Sequence, residues 1–88
     1  MFEPRKSDKV LYQTKDWAIV QITYDVINVA KLVVFHSCGG LKGLDRRGTW
    51  GYSYWDLHQM GKLKTGCWEC KEDYPEDIQT LYVLLSME

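Results

Sequence analysis

The sequence predicts a small α+β fold, in which an antiparallel sheet of three to five strands packs against one C-terminal helix. The chain has 88 residues, which is enough for one domain with a single hydrophobic core. Two runs in its first half are rich in β-branched and aromatic side chains, and its last segment has apolar residues at helical spacing. We therefore expect residues 1–88 to form one domain.

The first half of the chain predicts a β-hairpin preceded by a short strand. Residues 1–9 are polar and charged, and predict a flexible arm or a short edge segment. A short first strand is predicted over residues 10–12, a second over residues 16–24 and a third over Val29–His36. The intervening residues 25–28 predict a turn, so we expect the second and third strands to pair antiparallel.

The second half predicts a glycine-rich loop over residues 38–48, a strand over residues 49–55 and a polar connection over residues 57–66. Because side chains alternate along a strand, one face of the 49–55 strand carries three aromatic residues. These residues are Trp50, Tyr52 and Tyr54.

The last segment predicts a helix over residues 75–87. Pro75 suits the first helical position, and the acidic residues Glu76 and Asp77 complement the positive end of the helix dipole. The apolar residues that follow have the spacing i, i+3, i+4, i+7 and predict one buried stripe: Ile78, Leu81, Tyr82 and Leu85.

Composition limits the partners and the compartment. The net charge is −1, and no apolar run approaches the about 20 residues needed to span a bilayer. The first residues lack the apolar core of a secretory signal, so we expect a cytoplasmic protein without membrane attachment. Residues 36–71 carry six basic and three acidic side chains, whereas residues 72–88 carry five acidic and no basic ones. This weak basic field does not favour nucleic acid over other partners.

A cysteine–histidine pattern predicts a metal site. Cys67 and Cys70 form a CxxC motif, and His36 with Cys38 forms an HxC pair at a predicted strand end. The chain has three cysteines, which cannot all pair as disulfides within it. Three thiolates and one imidazole match the ligands of tetrahedral Zn²⁺. His58 is the alternative fourth ligand.

The predicted site is structural. Four protein ligands fill a tetrahedral shell, so no position remains for water or substrate, and we expect a non-enzymatic protein. One alternative is that Cys38 is a small buried residue and His36 a polar strand end. Another is thiol redox chemistry at the CxxC, although that chemistry usually belongs to a βαβ framework, and here only one helix follows the motif.

A resemblance extends this interpretation. The pattern is His36-x-Cys38-Gly39, Tyr52-Ser53-x-Trp55, Gly66-Cys67-x-x-Cys70 and Pro75-x-x-Ile78. It resembles zinc-ribbon-type knuckles and also small uncharacterised zinc-binding proteins of bacteriophages. The likeness spans residues 36–78 and departs from the usual ribbon, in which both knuckles are CxxC. It implies a compact β-rich zinc domain that binds a partner, and it carries over no catalytic residue.

Aromatic and basic side chains cluster between the two ligand pairs. The candidate binding residues are Arg46, Arg47, Trp50, Tyr52, Tyr54, Lys62 and Lys64. Aromatic and cationic residues together are typical of single-stranded nucleic-acid binding and also of protein interfaces. Small domains use large aromatic residues as core as well, so the same residues are candidates for the interior.

We therefore predict a small binding module with a structural zinc ion and a protein partner, such as a phage-encoded modulator of a host complex. The alternatives are a zinc domain that binds single-stranded nucleic acid and a thiol redox protein. We do not expect a small-molecule ligand.

Overall fold

The computed structural model describes residues 1–24, 29–39, 46–55, 66–67 and 69–86. Its elements are β1 (Lys9–Gln13), β2 (Trp17–Tyr24), β3 (Val29–His36), β4 (Gly51–Trp55) and α1 (Glu76–Ser86). The strands form one antiparallel sheet in the order β1-β2-β3-β4. The predicted α+β class, with a small antiparallel sheet and a C-terminal helix, is confirmed.

The predicted hairpin is the centre of the sheet. Strands β2 and β3 pair along their whole length, from Trp17 opposite His36 to Tyr24 opposite Val29. The turn predicted over residues 25–28 lies outside the described part of the chain. This register places the last residue of β3 beside the first residue of β2, which matters for the site described below.

The sheet has two buried faces, because alternate side chains of β2 and β3 point to opposite sides. We call the first the Phe2 face: Phe2, Ala18, Val20, Ile22, Val33, Phe35, Trp50 and Tyr52. We call the second the helix face: Trp17, Ile19, Val34, Cys67, Tyr74, Ile78 and Tyr82. Burial on both sides explains why β2 and β3 are almost continuously apolar in sequence.

The prediction of a flexible arm over residues 1–9 is wrong. Phe2 is buried, and its ring lies 5.1 Å from the ring of Trp50 and 5.7 Å from that of Phe35. The amino group of Met1 donates a hydrogen bond of 2.6 Å to Oγ1 of Thr49. The buried Phe2 ring and hydrogen bonds to Arg47 and Thr49 thus attach this polar segment to the rest of the domain.

The helix agrees with its predicted stripe but is one residue shorter at its start. It begins at Glu76 instead of Pro75, while the predicted end at residue 87 lies outside the described residues. Ile78 and Tyr82 are buried on the helix face, and Leu81 and Leu85 pack against it at its edge. Among the described residues, no helix has the length and apolar character required to cross a membrane.

Candidate metal centre

The four predicted ligands come together in space. His36 ends β3 and Cys38 follows two residues later, whereas Cys67 and Cys70 belong to the segment that precedes α1. One ligand atom from each of the four residues lies within 4.8 Å of all the others. Two segments separated by almost 30 residues therefore meet at one point, close enough to bind a metal ion.

Two of the distances between these atoms match those of a tetrahedral zinc centre. Cys38 Sγ and Cys67 Sγ are 3.7 Å apart, and Cys70 Sγ is 3.6 Å from His36 Nδ1. Zn–S bonds of about 2.3 Å and Zn–N bonds of about 2.0 Å in a tetrahedron put sulfur atoms about 3.8 Å apart, and sulfur and nitrogen about 3.5 Å apart. A disulfide requires about 2.05 Å, and none of the three cysteines forms one.

The end of β3 fixes the imidazole. The His36 ring is buried and stacks on the indole of Trp17, its cross-strand partner, with ring centroids 3.9 Å apart and planes inclined by 25°. The backbone N–H of Ser37 donates to the carbonyl of Asp16 at 3.0 Å, and its hydroxyl donates to the Asp16 carboxylate at 3.0 Å. The register of the hairpin thus determines where this ligand lies.

Cys38 is placed by a turn instead of by continuation of the strand. Ser37 and Cys38 form the turn, and the N–H of Gly39 donates to the carbonyl of His36 at 3.3 Å. Gly39 has a φ of 96°, a left-handed conformation that glycine adopts without steric cost. The turn brings the Cys38 sulfur back towards the other ligands, which a straight strand would not do.

The CxxC motif lies in a tight hairpin of its own. Gly66 and Asp73 form an isolated antiparallel β-bridge. The N–H of Cys67 donates to the carbonyl of Glu72 at 2.8 Å, and the N–H of Lys71 donates to the carbonyl of Cys67 at 2.9 Å. A Cβ atom on Gly66 would lie 2.5 Å from that Glu72 carbonyl oxygen, so only glycine fits there. Lys71 has a φ of 66°, which reverses the chain after the second sulfur.

Burial of His36 favours a neutral imidazole, which is the form that binds a metal. Burial lowers the pKa of His36 below its ordinary value, and the carboxylates of Glu72 and Asp16 oppose that shift. Nε2 of His36 lies 3.2 Å from Oε2 of Glu72. His58, the alternative fourth ligand, lies outside the described residues.

Three of the candidate binding residues are interior residues, so their prediction as a contact surface is corrected. Trp50 and Tyr52 belong to the Phe2 face and are 6% and 3% exposed, and Tyr52 packs edge-on against Phe35 with ring centroids 5.0 Å apart. Arg47 is 3% exposed; its guanidinium lies over the Phe35 ring and forms a buried ion pair with Asp8. A small domain has few other side chains large enough to fill this volume.

The remaining binding candidates are less constrained by the structure. Arg46 is exposed. Tyr54 lies on β4, where its backbone pairs with Val34, and nothing is described of its side chain. Lys62 and Lys64 lie outside the described residues. The aromatic–arginine cluster therefore does not form one continuous outer surface.

Two residues of the site were not anticipated, Glu72 and Trp17. Trp17 could have been found by extending the predicted hairpin register, which pairs it with His36. Glu72 had a weaker signal, as the second residue after the CxxC motif. Comparison with known proteins adds no assignment, because no family model, curated protein or solved structure matches the chain.

Proposed function

We propose that this chain is a non-enzymatic binding module whose fold depends on a structural Zn²⁺ bound by His36, Cys38, Cys67 and Cys70, and that it binds a protein partner. The observation that carries the proposal is the meeting of four ligand atoms within 4.8 Å, at spacings that suit a tetrahedral ion. The backbone hydrogen bonds around His36, Cys38 and Cys67 support it, because they fix the backbone of the two ligand-bearing segments.

The donor set favours zinc over other common ions. Thiolates exclude Mg²⁺ and Ca²⁺, which take oxygen ligands, and one imidazole with three sulfurs is a usual set for structural zinc. Three thiolates, a neutral imidazole and Zn²⁺ leave a local charge of −1. That charge is easily tolerated here because Cys38 and Cys70 are exposed to solvent.

A structural role follows from the closed shell and from what the ion would connect. Four protein ligands leave no open position for a substrate. The ion would tie the end of the central hairpin to the segment that leads into α1, which supplies Ile78 and Tyr82 to the helix face. A domain of 88 residues has limited burial of its own, and metal binding would add directly to its folding free energy.

The test of the zinc site is the metal content of the purified protein. We expect about one Zn²⁺ per chain, with loss of zinc in Cys67→Ser, Cys70→Ser, Cys38→Ser and His36→Ala. His58→Ala is the matched control and should retain zinc. Retention of zinc in His36→Ala together with its loss in His58→Ala would reassign the fourth ligand.

The protein-partner proposal is tested separately. Immobilised zinc-loaded protein should retain a specific protein from a host lysate, and the chelator-treated protein should lose it because the fold that presents the surface is gone. Recovery of no specific protein from several lysates, with the zinc-loaded fold intact, would count against a protein-binding role while leaving the zinc site standing.

The burial of Arg47, Trp50 and Tyr52 removes the main support for a single-stranded nucleic-acid site, since bases cannot stack on interior rings.

The thiol redox alternative would use the CxxC pair, Cys67 and Cys70. The two sulfurs that lie 3.7 Å apart belong instead to Cys38 and Cys67, which come from different segments. Free thiols without bound metal in the purified protein would revive that alternative.

A further inference from the structure

The two ring nitrogens of His36 have different neighbours. Nδ1 lies 3.6 Å from Cys70 Sγ, on the side where the four candidate ligand atoms meet. Nε2 lies 3.2 Å from Oε2 of Glu72, on the far side of the ring. A neutral imidazole has one nitrogen that accepts and one that carries a proton, so these neighbours distinguish the two.

A carboxylate only accepts hydrogen bonds, and this decides which ring nitrogen of His36 carries the proton. The nitrogen that faces Glu72 must carry the proton, and the nitrogen that faces the sulfurs must offer its lone pair. A metal-binding histidine commonly donates its other N–H to a carboxylate, and this contact fixes the tautomer and increases the basicity of the ligand.

We propose that His36 binds the metal through Nδ1 and that Glu72 is a positioning residue, which accepts a hydrogen bond from Nε2–H. The inference rests on the proposed zinc function and deepens it by naming the ligand atom and a residue of the site beyond the four ligands. It assigns to Glu72 a role that the ligand pattern in the sequence does not contain.

Glu72 is well placed for this role because its own backbone is part of the hairpin that contains the CxxC motif. Its carbonyl accepts a hydrogen bond from the backbone N–H of Cys67 at 2.8 Å. Glu72 therefore contacts the backbone of one candidate ligand and, through its side chain, the imidazole of another. On one face of the ring, the stacked indole of Trp17 restricts movement of the imidazole. The Glu72 side chain is 60% exposed, so we expect an effect at the lower end of those seen for such contacts.

The first test identifies the metal-bound nitrogen. Long-range ¹H–¹⁵N correlation spectra of the zinc-loaded wild-type protein should show a His36 ring protonated at Nε2 and metal-bound at Nδ1. Loading with ¹¹³Cd²⁺ should add a scalar coupling from the metal to Nδ1. A His36 ring bound through Nε2 and protonated at Nδ1 overturns the inference, whatever the variants do.

The second test measures zinc affinity by competition with a chelator of known affinity. Glu72→Ala should bind zinc about 10-fold more weakly than the wild type, and Glu72→Gln, which keeps an accepting oxygen, should fall between them. Glu69→Gln is the matched control: it removes the same charge from the same hairpin and should stay within about twofold of the wild type, since it alters charge without altering the contact to His36.

The outcomes separate this inference from the zinc proposal. If the wild type takes up no zinc, both fail. If the wild type binds zinc and Glu72→Ala binds it as tightly as Glu69→Gln, only the role of Glu72 fails. If Glu72→Ala folds poorly, the nitrogen assignment in the wild-type spectrum still decides whether Nδ1 is the ligand atom.

Discussion

The two faces of the sheet are closed by different means. On the Phe2 face, aromatic and aliphatic side chains fill the volume, and the buried pair of Asp8 and Arg47 lies at its edge. On the helix face, the apolar cluster includes Cys67, which is 1% exposed and is also a candidate metal ligand. The first face is therefore closed by side-chain packing and one buried ion pair, while the second also contains the candidate metal ligands.

This difference means that the same sheet should respond to two independent kinds of change. Loss of apolar volume weakens a core in proportion to the cavity that it leaves. Loss of a metal removes all of its bonds at once, and the freed ligands no longer connect the segments that carry them. Changes aimed at one face should thus be distinguishable from changes aimed at the other.

Removal of the metal should have the largest effect. Treatment of the zinc-loaded protein with a strong chelator should lower the free energy of unfolding by roughly 5 kcal/mol or more, because structural zinc often contributes as much as a small domain's whole stability. Hydrogen exchange should show that amides of α1 lose protection before those of β2 and β3. The chelator preloaded with zinc is the control, and unchanged protection of α1 after metal removal would contradict the prediction.

Truncation on the opposite face should have an intermediate effect. Phe2→Ala should lower the free energy of unfolding by about 3 kcal/mol, as expected for a buried aromatic ring, without changing the zinc content of the folded protein. Urea denaturation and metal analysis measure the two quantities. Leu84→Ala, which truncates a 56% exposed side chain, is the control and should change little. Zinc loss in fully folded Phe2→Ala would show that the two faces are not independent.

Relief of backbone strain in the hairpin that contains the CxxC motif should have the smallest effect. Lys71 has a positive φ, so Lys71→Gly should raise the free energy of unfolding by about 0.5 kcal/mol, the net of removed strain and added flexibility in the unfolded chain. Lys71→Ala keeps a Cβ atom and should show no such gain. An equal gain in both variants, measured by urea denaturation with zinc bound, would place the effect in the lysine side chain instead.

The strands and the helix could be predicted from the sequence because the residue patterns that indicate them are local. The bounds of β3 agree with the prediction at both ends, and the stripe on α1 follows from helical spacing. The candidate ligand set was accessible for a different reason: cysteine and histidine are rare enough that their spacing is informative. That the four residues meet is a property of the fold, and the sequence pattern could only suggest it.

The errors arose where one side chain outweighed the composition around it. Phe2 anchors a segment that is otherwise charged, and the guanidinium of Arg47 is buried because Asp8 compensates its charge. Both depend on pairing between distant positions, Asp8 with Arg47 and Phe2 with Gly48, which residue type alone does not reveal. Trp50 and Tyr52 illustrate the same limit, since large aromatic residues suit an interior and a contact surface equally well.

The stacking of Trp17 on His36 gives the molecule an internal optical probe. The indole lies 3.9 Å from the ring of a candidate ligand, which is close enough for a transition metal bound there to quench its fluorescence. Replacement of zinc by Co²⁺ should therefore dim the emission of Trp17, and the wild type should lose more fluorescence than Trp17→Phe, which keeps the other three tryptophans. Occupancy of the site can then be followed in the intact protein without an added dye.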